Sequence, residues 1–294
     1  MQRGFSYGVR HCEVTRPSSL VDFVSREILR EELAMTALEL IELGSVYVND
    51  ERSLSPSRPL LVGDRVRIHT KPRRYPQPID LLSRIVSEDS NVVIVDKPAG
   101  LPVHALVDNI KENLISYLED LRGGTLFITH RLDVETSGLV LLAKNAETQA
   151  RLNRAFAEGT VKRTYAAYVT SPVAPGTYVH FMEPSPTAPK KVSAEAREGW
   201  SRCSLEVLSC EELSGETSVI SEGRTTWSFN EHKLSQVFRL EISLQTGRPQ
   251  QIRAQLAELG SPIIGDVSYG FPWPVVDTES SRHAITLRAI RVSI

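Results

Sequence analysis

The stretch LFITHRLDVETSGLVLLAKN, Leu126 to Asn145, constrains this chain more than any other. Two apolar runs, LFI and LVLLA, have the make-up of buried strands, yet His130, Arg131 and Asp133 stand between them. The polar cluster must therefore sit at a sheet edge or line a cleft. Charges beside a core call for a partner or a task.

The rest of the chain bounds what that task can be. Its 294 residues suffice for a small and a large domain, each with its own core. A hydrophobic fraction of 41% and a charged fraction of 24% are those of an ordinary soluble globular protein. No apolar run approaches the roughly 18 residues of a membrane-spanning helix. The opening MQRGFSYGVRHCEV lacks the apolar segment of a secretory signal. Cys12, Cys203 and Cys210 form an odd, scattered set, which fits a reduced, cytoplasmic protein. The seven histidines show no H-E-x-x-H spacing and the cysteines no C-x-x-C, so no bound metal is expected. A net charge of −2 excludes a uniformly basic nucleic-acid binder but leaves room for local patches.

Near the start, Leu20, Phe23, Val24 and Ile28 share one helical face behind Ser19, a candidate N-cap. EELAMTALELIELG repeats the pattern through Leu33, Ala37, Leu40 and Ile41, and Gly44 ends it. SVYVND and DRVRIH then alternate with period two, as half-buried strands do. From Arg58 to Arg74 the chain carries six basic residues (Arg58, Arg65, Arg67, Lys71, Arg73 and Arg74) against Asp64. Most such runs are solvated surface. Arg65 and Arg67, however, are alternate residues and point to one side of a strand, a pattern suited to phosphate. The ending LIELGSVYVNDERSLSPSRPLLVGDRVRI resembles that of the small S4-type RNA-binding domain, with Asp50 where that family has Gly. The likeness covers most of residues 18–70.

KPRRYPQPIDLL, with three prolines, reads as a linker. After it, strand-like NVVIVDK, RTYAAYVT and QVFRLEISLQ mix with helical DNIKENLISYLEDLRGG, NAETQARLNRAFAEG and RPQQIRAQLAELG, the last with Pro249 near its first turn. Residues 209–232 read as a polar loop. Strands outnumber helices and connections are short. The expectation is an α+β chain: a small α/β S4-like module over residues 1–75, and over 76–294 a catalytic domain on a mixed, largely antiparallel sheet.

Four separated segments now stand in order: VIVDKPAGLPVH, HRLDVETSGLVLLAK, VKRTYAAYV and LQTGRPQQIRAQLAELGSPIIGDVSYG. H-R-L-D alone would be weak. The ordered set, over residues 85–270, resembles the RluA-type RNA pseudouridine synthases. That family turns a uridine within RNA into its C-glycoside isomer. The resemblance thus implies an RNA partner, ribosomal or transfer, and no cofactor, because nothing is oxidised or imported.

It also assigns residues. Asp133 corresponds to the family's essential aspartate, acting at C1′ or on the ribose; the bland alternative is an Asp capping a turn with Thr136 or Ser137. Arg253 corresponds to the arginine that pairs with it and keeps it ionised. Tyr165 corresponds to the active-site tyrosine, while Tyr168, facing the other side of the strand, belongs to the core. Arg131 is placed to fill the space left by a flipped-out nucleotide or to hold a phosphate, and His130 to orient the loop. Lys97, Gly265 and Asp266 read as scaffold, although Lys97 could reach a phosphate. Two features depart from the family: Gln250 replaces a common His, and the last segment, RHAITLRAIRVSI, stops early. A catalytically silent RNA-binding protein is the alternative. A hydrolase built on His130, Asp133 and a serine lacks a G-x-S-x-G signature. A monomer with no membrane partner is expected.

Overall fold

The structure, a computed structural model, describes residues 8–29, 35–78, 80–185, 187–229 and 231–293. It divides into two compact units, Met1–Gln77 with His104–Tyr117, and Pro78–Val103 with Leu118–Ile294.

In the first unit Ser19 accepts a hydrogen bond from the Asp22 amide and opens the helix Leu20–Ile28, whose Leu20, Phe23, Val24 and Ile28 are buried. The second helix is shorter than its pattern suggests. It spans Ala37–Glu42 and begins at Thr36, which forms a reciprocal capping box with Glu39; Leu33 lies outside the described residues. The strand Arg65–His69 lies between Val9–Glu13 and Val46–Val48, antiparallel to both. Asn49 and Asp50 both have positive φ (52° and 69°) in the turn after Val48, where Gly, Asn and Asp are the residues tolerated. Val66 and Ile68 point into the core, so Arg65 and Arg67 lie on the other face.

The unit also takes in residues 104–117, a segment that a cut at residue 75 leaves elsewhere. The Ser45 hydroxyl donates to the Asp108 carbonyl (2.6 Å) and the Ile110 amide to the Leu43 carbonyl (2.9 Å). The helix expected from Asp108 starts only at Leu114. Asn109 accepts from the amides of Lys111 and Glu112, which takes up donors of an earlier first turn, and Asn113 accepts from that of Ser116 and caps the observed helix.

The second unit is built on a ten-stranded sheet. Its middle runs Ser201–Leu213, Val237–Leu244, Lys162–Val169, Leu287–Ser293, Ser137–Ala143, Val92–Lys97. Every pairing is antiparallel except Ser137–Ala143 with Leu287–Ser293, so the mixed, largely antiparallel reading holds. The final segment thus supplies a central strand, Leu287–Ser293. Gly138 (φ 110°) is required beside it, because a Cβ there would overlap the Ala289 backbone.

Residues 209–232 are not a polar loop. The strand Ser201–Leu213 runs through their start, and Val219–Glu222 pairs with Thr225–Ser228 in a second, four-stranded sheet. Trp227 and Phe229 are fully buried there, against Tyr168, Val275 and Ala284. Each short strand carries a single core apolar residue, too few for a visible period.

Candidate active site

Asp133 lies in the loop between the strands Phe127–Ile128 and Ser137–Ala143. It lines a cleft of about 440 Å³, together with Arg131, Tyr165, Gln250 and Arg253. Residues from three of the four sequence segments therefore meet in one place. Arg131 is exposed at this cleft; Tyr165 is buried in its wall, on the strand Lys162–Val169. Tyr168, on the other side of that strand, donates its hydroxyl to Glu222 (2.5 Å) in the core.

Arg253 projects from the helix Gln251–Glu258. Its guanidinium serves three carboxylates. Nε and Nη2 donate to the two oxygens of Asp266 (2.7 and 2.9 Å), a bidentate pair of buried groups. Nη1 lies 3.4 Å from Asp133 and 3.5 Å from Glu135. The two-point fork of Arg253 thus closes on Asp266, and Asp133, its expected partner, is held by one nitrogen. The difference matters, because a carboxylate held at one point keeps its other oxygen available. The Thr136 amide bonds the backbone carbonyl of Asp133 (3.2 Å) rather than its carboxylate, and the buried Thr136 and Ser137 hydroxyls have no hydrogen-bond partner among the described residues.

Burial pushes the Asp133 carboxyl above the usual aspartate range; Arg253 opposes the shift, and the charge of Glu135 adds to it. Burial also raises the Tyr165 hydroxyl, with Arg163 opposing and Asp133 reinforcing. The site therefore keeps its phenol protonated and charges Asp133 at some cost, offset by Arg253.

Helix placement is locked by buried amides. Gln251 donates to the Ser204 carbonyl (3.0 Å) and to Gln255 (2.8 Å), and accepts from Thr246 (2.7 Å). Gln250, in left-handed conformation (φ 58°), is the N-cap, so the helix begins after it and Pro249 precedes the cap. The Gln250 side chain accepts from the Tyr269 hydroxyl (2.6 Å), and the Tyr269 ring packs 5.1 Å from the Arg253 guanidinium carbon. Gln250 is thus a brace behind the arginine.

His130 accepts the Leu141 amide proton at Nε2 (2.9 Å), and burial, with Arg163 nearby, pushes it down to about 3. It is neutral and fixed, and that nitrogen is already engaged. A hydrolase base at this residue has no support, because Asp133 faces Arg253 rather than the imidazole. Lys97 is fully buried and donates to the carbonyls of Pro98, Leu101 and Val134 (2.9, 2.8 and 3.3 Å). Burial brings it down to about 7, with Glu135 and Asp133 opposing. It ties down the loop beside Asp133 and is out of reach of a phosphate.

Sequence reasoning reads Asp266 as scaffold and passes over Glu135 and Arg163. Glu135 is legible by the alternation that relates Arg131 to Asp133, since it stands two residues further on. The role of Asp266 is hidden by its GD turn. The basic tract belongs to the first unit. There Arg65 is exposed and 3.4 Å from Asp50, and Arg67 packs over Tyr47 (4.2 Å to the ring centre). Arg73 and Arg74 pair with Asp108 (3.3 Å) and Glu112 (2.6 Å), so part of their charge is neutralised within the unit.

Comparison with known proteins adds an independent line. The model of the family described as RNA pseudouridylate synthase matches residues 91–258. A chloroplastic protein of Oryza sativa subsp. japonica named RNA pseudouridine synthase 6 is 33% identical over 222 residues, covering 74% of this chain and 46% of the relative. Ribosomal large subunit pseudouridine synthase D of Neisseria meningitidis serogroup A is 33% identical over 245 residues, covering 79% of this chain and 58% of the relative. The chain thus spans about half the length of the curated relatives it matches. In fold it resembles human RNA Pseudouridylate Synthase Domain Containing 1 (TM-score 0.51, 20% identity, 71% of this chain and 76% of that one).

Proposed function

The chain belongs to the RNA pseudouridylate synthase family, and from that premise we propose that it isomerises uridines within RNA to pseudouridine at the Asp133 cleft. The bond from C1′ to N1 breaks, the uracil turns, C5 bonds to C1′, and the proton on C5 departs. Atoms and electrons balance without a cofactor. The observation that carries this reading is the single-point hold on Asp133 by Arg253 at 3.4 Å, beside Tyr165 in an open cleft. A carboxylate so held can act at C1′, or take a proton from the ribose. Tyr165, its phenol kept protonated, stacks on the base and relays the C5 proton rather than acting as an anion. Arg131 takes the space of the flipped nucleotide.

In this reading the first unit is an S4-like RNA holder whose phosphate contacts are Arg65, Arg67, Lys71, Arg73 and Arg74; Arg65 and Arg67 share the exposed Asp50, and Arg73 and Arg74 are paired with Asp108 and Glu112. Ribosomal RNA is the first substrate to try, because a relative is named for the ribosomal large subunit; transfer RNA is the second. The protein acts in the cytoplasm, as a monomer.

The test is release of tritium from RNA transcribed with uridine labelled at C5. Wild type should release it, and Asp133→Asn should bind the same RNA without release. Binding alone by the wild type would mean a silent scaffold; strand cleavage would mean a hydrolase.

A further inference from the structure

The cleft opens past Phe156 and Gly247 into a second, larger groove of about 920 Å³. The two share Arg163 and Arg248, and the groove continues to Lys162 and Arg291. Glu158 and Glu206 are the acids on its walls, so four cations face two carboxylates. Among the described residues Lys162, Arg163 and Arg248 form no ion pair, whereas Arg291 lies 3.8 Å from Glu241.

Arg163 is the most telling of them. Its guanidinium packs over the Phe156 ring (5.4 Å), and its buried Nε has no hydrogen-bond partner among the described residues. A Cβ at residue 247 would sit 3.0 Å from that guanidinium, so glycine leaves it room. A part-buried guanidinium held by an aromatic face and a glycine, in no ion pair among the described residues, can offer its groove-facing Nη donors to an oxyanion. The groove also offers Leu208, 44% exposed at a bulge of the strand Ser201–Leu213. An apolar knob beside a row of cations matches a single nucleic-acid strand, which presents bases and phosphates in turn.

We propose that this groove carries the RNA strand adjoining the target uridine, with Arg163 and Arg248 clamping a backbone phosphate at the mouth of the cleft. The inference rests on the reading of the chain as an enzyme acting on RNA, and extends it to residues on neither the Asp133 machinery nor the first unit.

The test uses the full chain and a fluorescent single-stranded oligouridylate, with anisotropy titrated over a range of salt. Arg163→Met with Arg248→Met should weaken binding several-fold and flatten the plot of log K against log salt by about 1.4, at roughly 0.7 for each phosphate charge no longer neutralised. Lys162→Met, further from the cleft, should flatten it by about half that. Thermal melts check that each variant folds. Wild type should also bind an oligouridylate with neutral methylphosphonate linkages less tightly, and the double variant should show a smaller difference between the two oligonucleotides. An unchanged slope in both variants would overturn the proposal, as would equal competition by inorganic polyphosphate, which would mark a generic polyanion patch. Tritium release with an unchanged slope would sink the groove and leave the enzyme. A changed slope with no release from any RNA would do the reverse.

Discussion

Replacing Arg253 with Met separates two tasks that the structure joins in one guanidinium. The first is structural. Asp266, 1% exposed, would lose both of its charge-assisted bonds and remain as a buried, unpaired carboxylate. Breaking such a pair from one side costs about 3–5 kcal/mol. For a domain of this size each kcal/mol moves the melting temperature by about 2–4 °C, so a drop of roughly 10 °C is expected. The second task is chemical. Nη1 is the cation 3.4 Å from Asp133, and its loss lets burial and Glu135 raise that carboxyl further. The acid limb of the pH–rate profile, where turnover rises as Asp133 ionises, should then move to higher pH, with less turnover at neutrality. Adding Asp266→Asn removes the stranded charge. The double variant should regain much of the lost melting temperature and none of the lost turnover. Calorimetry with tritium release across pH reads both. An Arg253→Met protein as stable as wild type, or a double variant that recovers activity, would refute this division.

Other consequences follow from the neighbours of Asp133. Glu135→Gln removes a like charge 3.5 Å from the shared Nη1; the acid limb of kcat/KM should move to lower pH, and a shift the other way would show that Glu135 orients Arg253 instead. Lys97→Met leaves the carbonyls of Pro98, Leu101 and Val134 without their donor. Urea denaturation should record a loss of about 1–3 kcal/mol, and turnover should fall because the loop carrying Asp133 is freed. His130 stays neutral in the fold down to about 3, against an ordinary value of 6.5. The unfolded chain binds that proton first, so stability is present above about pH 6.5 and is lost as pH falls toward 3, by up to about 1.4 kcal/mol per pH unit from this group. A His130→Gln variant should show a flatter acid profile in urea titrations.

The sequence was most legible where chemistry is local. Ser19 could be read as a cap because its partner, the Asp22 amide, lies three residues on. Tyr165 and Tyr168 could be sorted to opposite faces because a strand alternates. What it hid depends on distance. Nothing local tells that the fork of Arg253 closes on Asp266, thirteen residues away, or that residues 104–117 fold with the first unit through Ser45 and Leu43. The small sheet around Trp227 escaped because its core is assembled from single apolar residues on four short strands. The second helix could have been trimmed correctly: T-A-L-E at Thr36–Glu39 is a capping box, and a start signal inside a periodic run outranks the run.

The central claim is that this chain makes pseudouridine and that Asp133 does the chemistry. It is tested most directly by mapping pseudouridine across the RNA of cells lacking the chain, then supplied with wild type or with Asp133→Asn. Particular uridines should lose the modification, regain it with wild type, and stay unmodified with Asp133→Asn although that protein folds and binds RNA. No difference between cells with and without the chain, or restoration by Asp133→Asn, would contradict the claim.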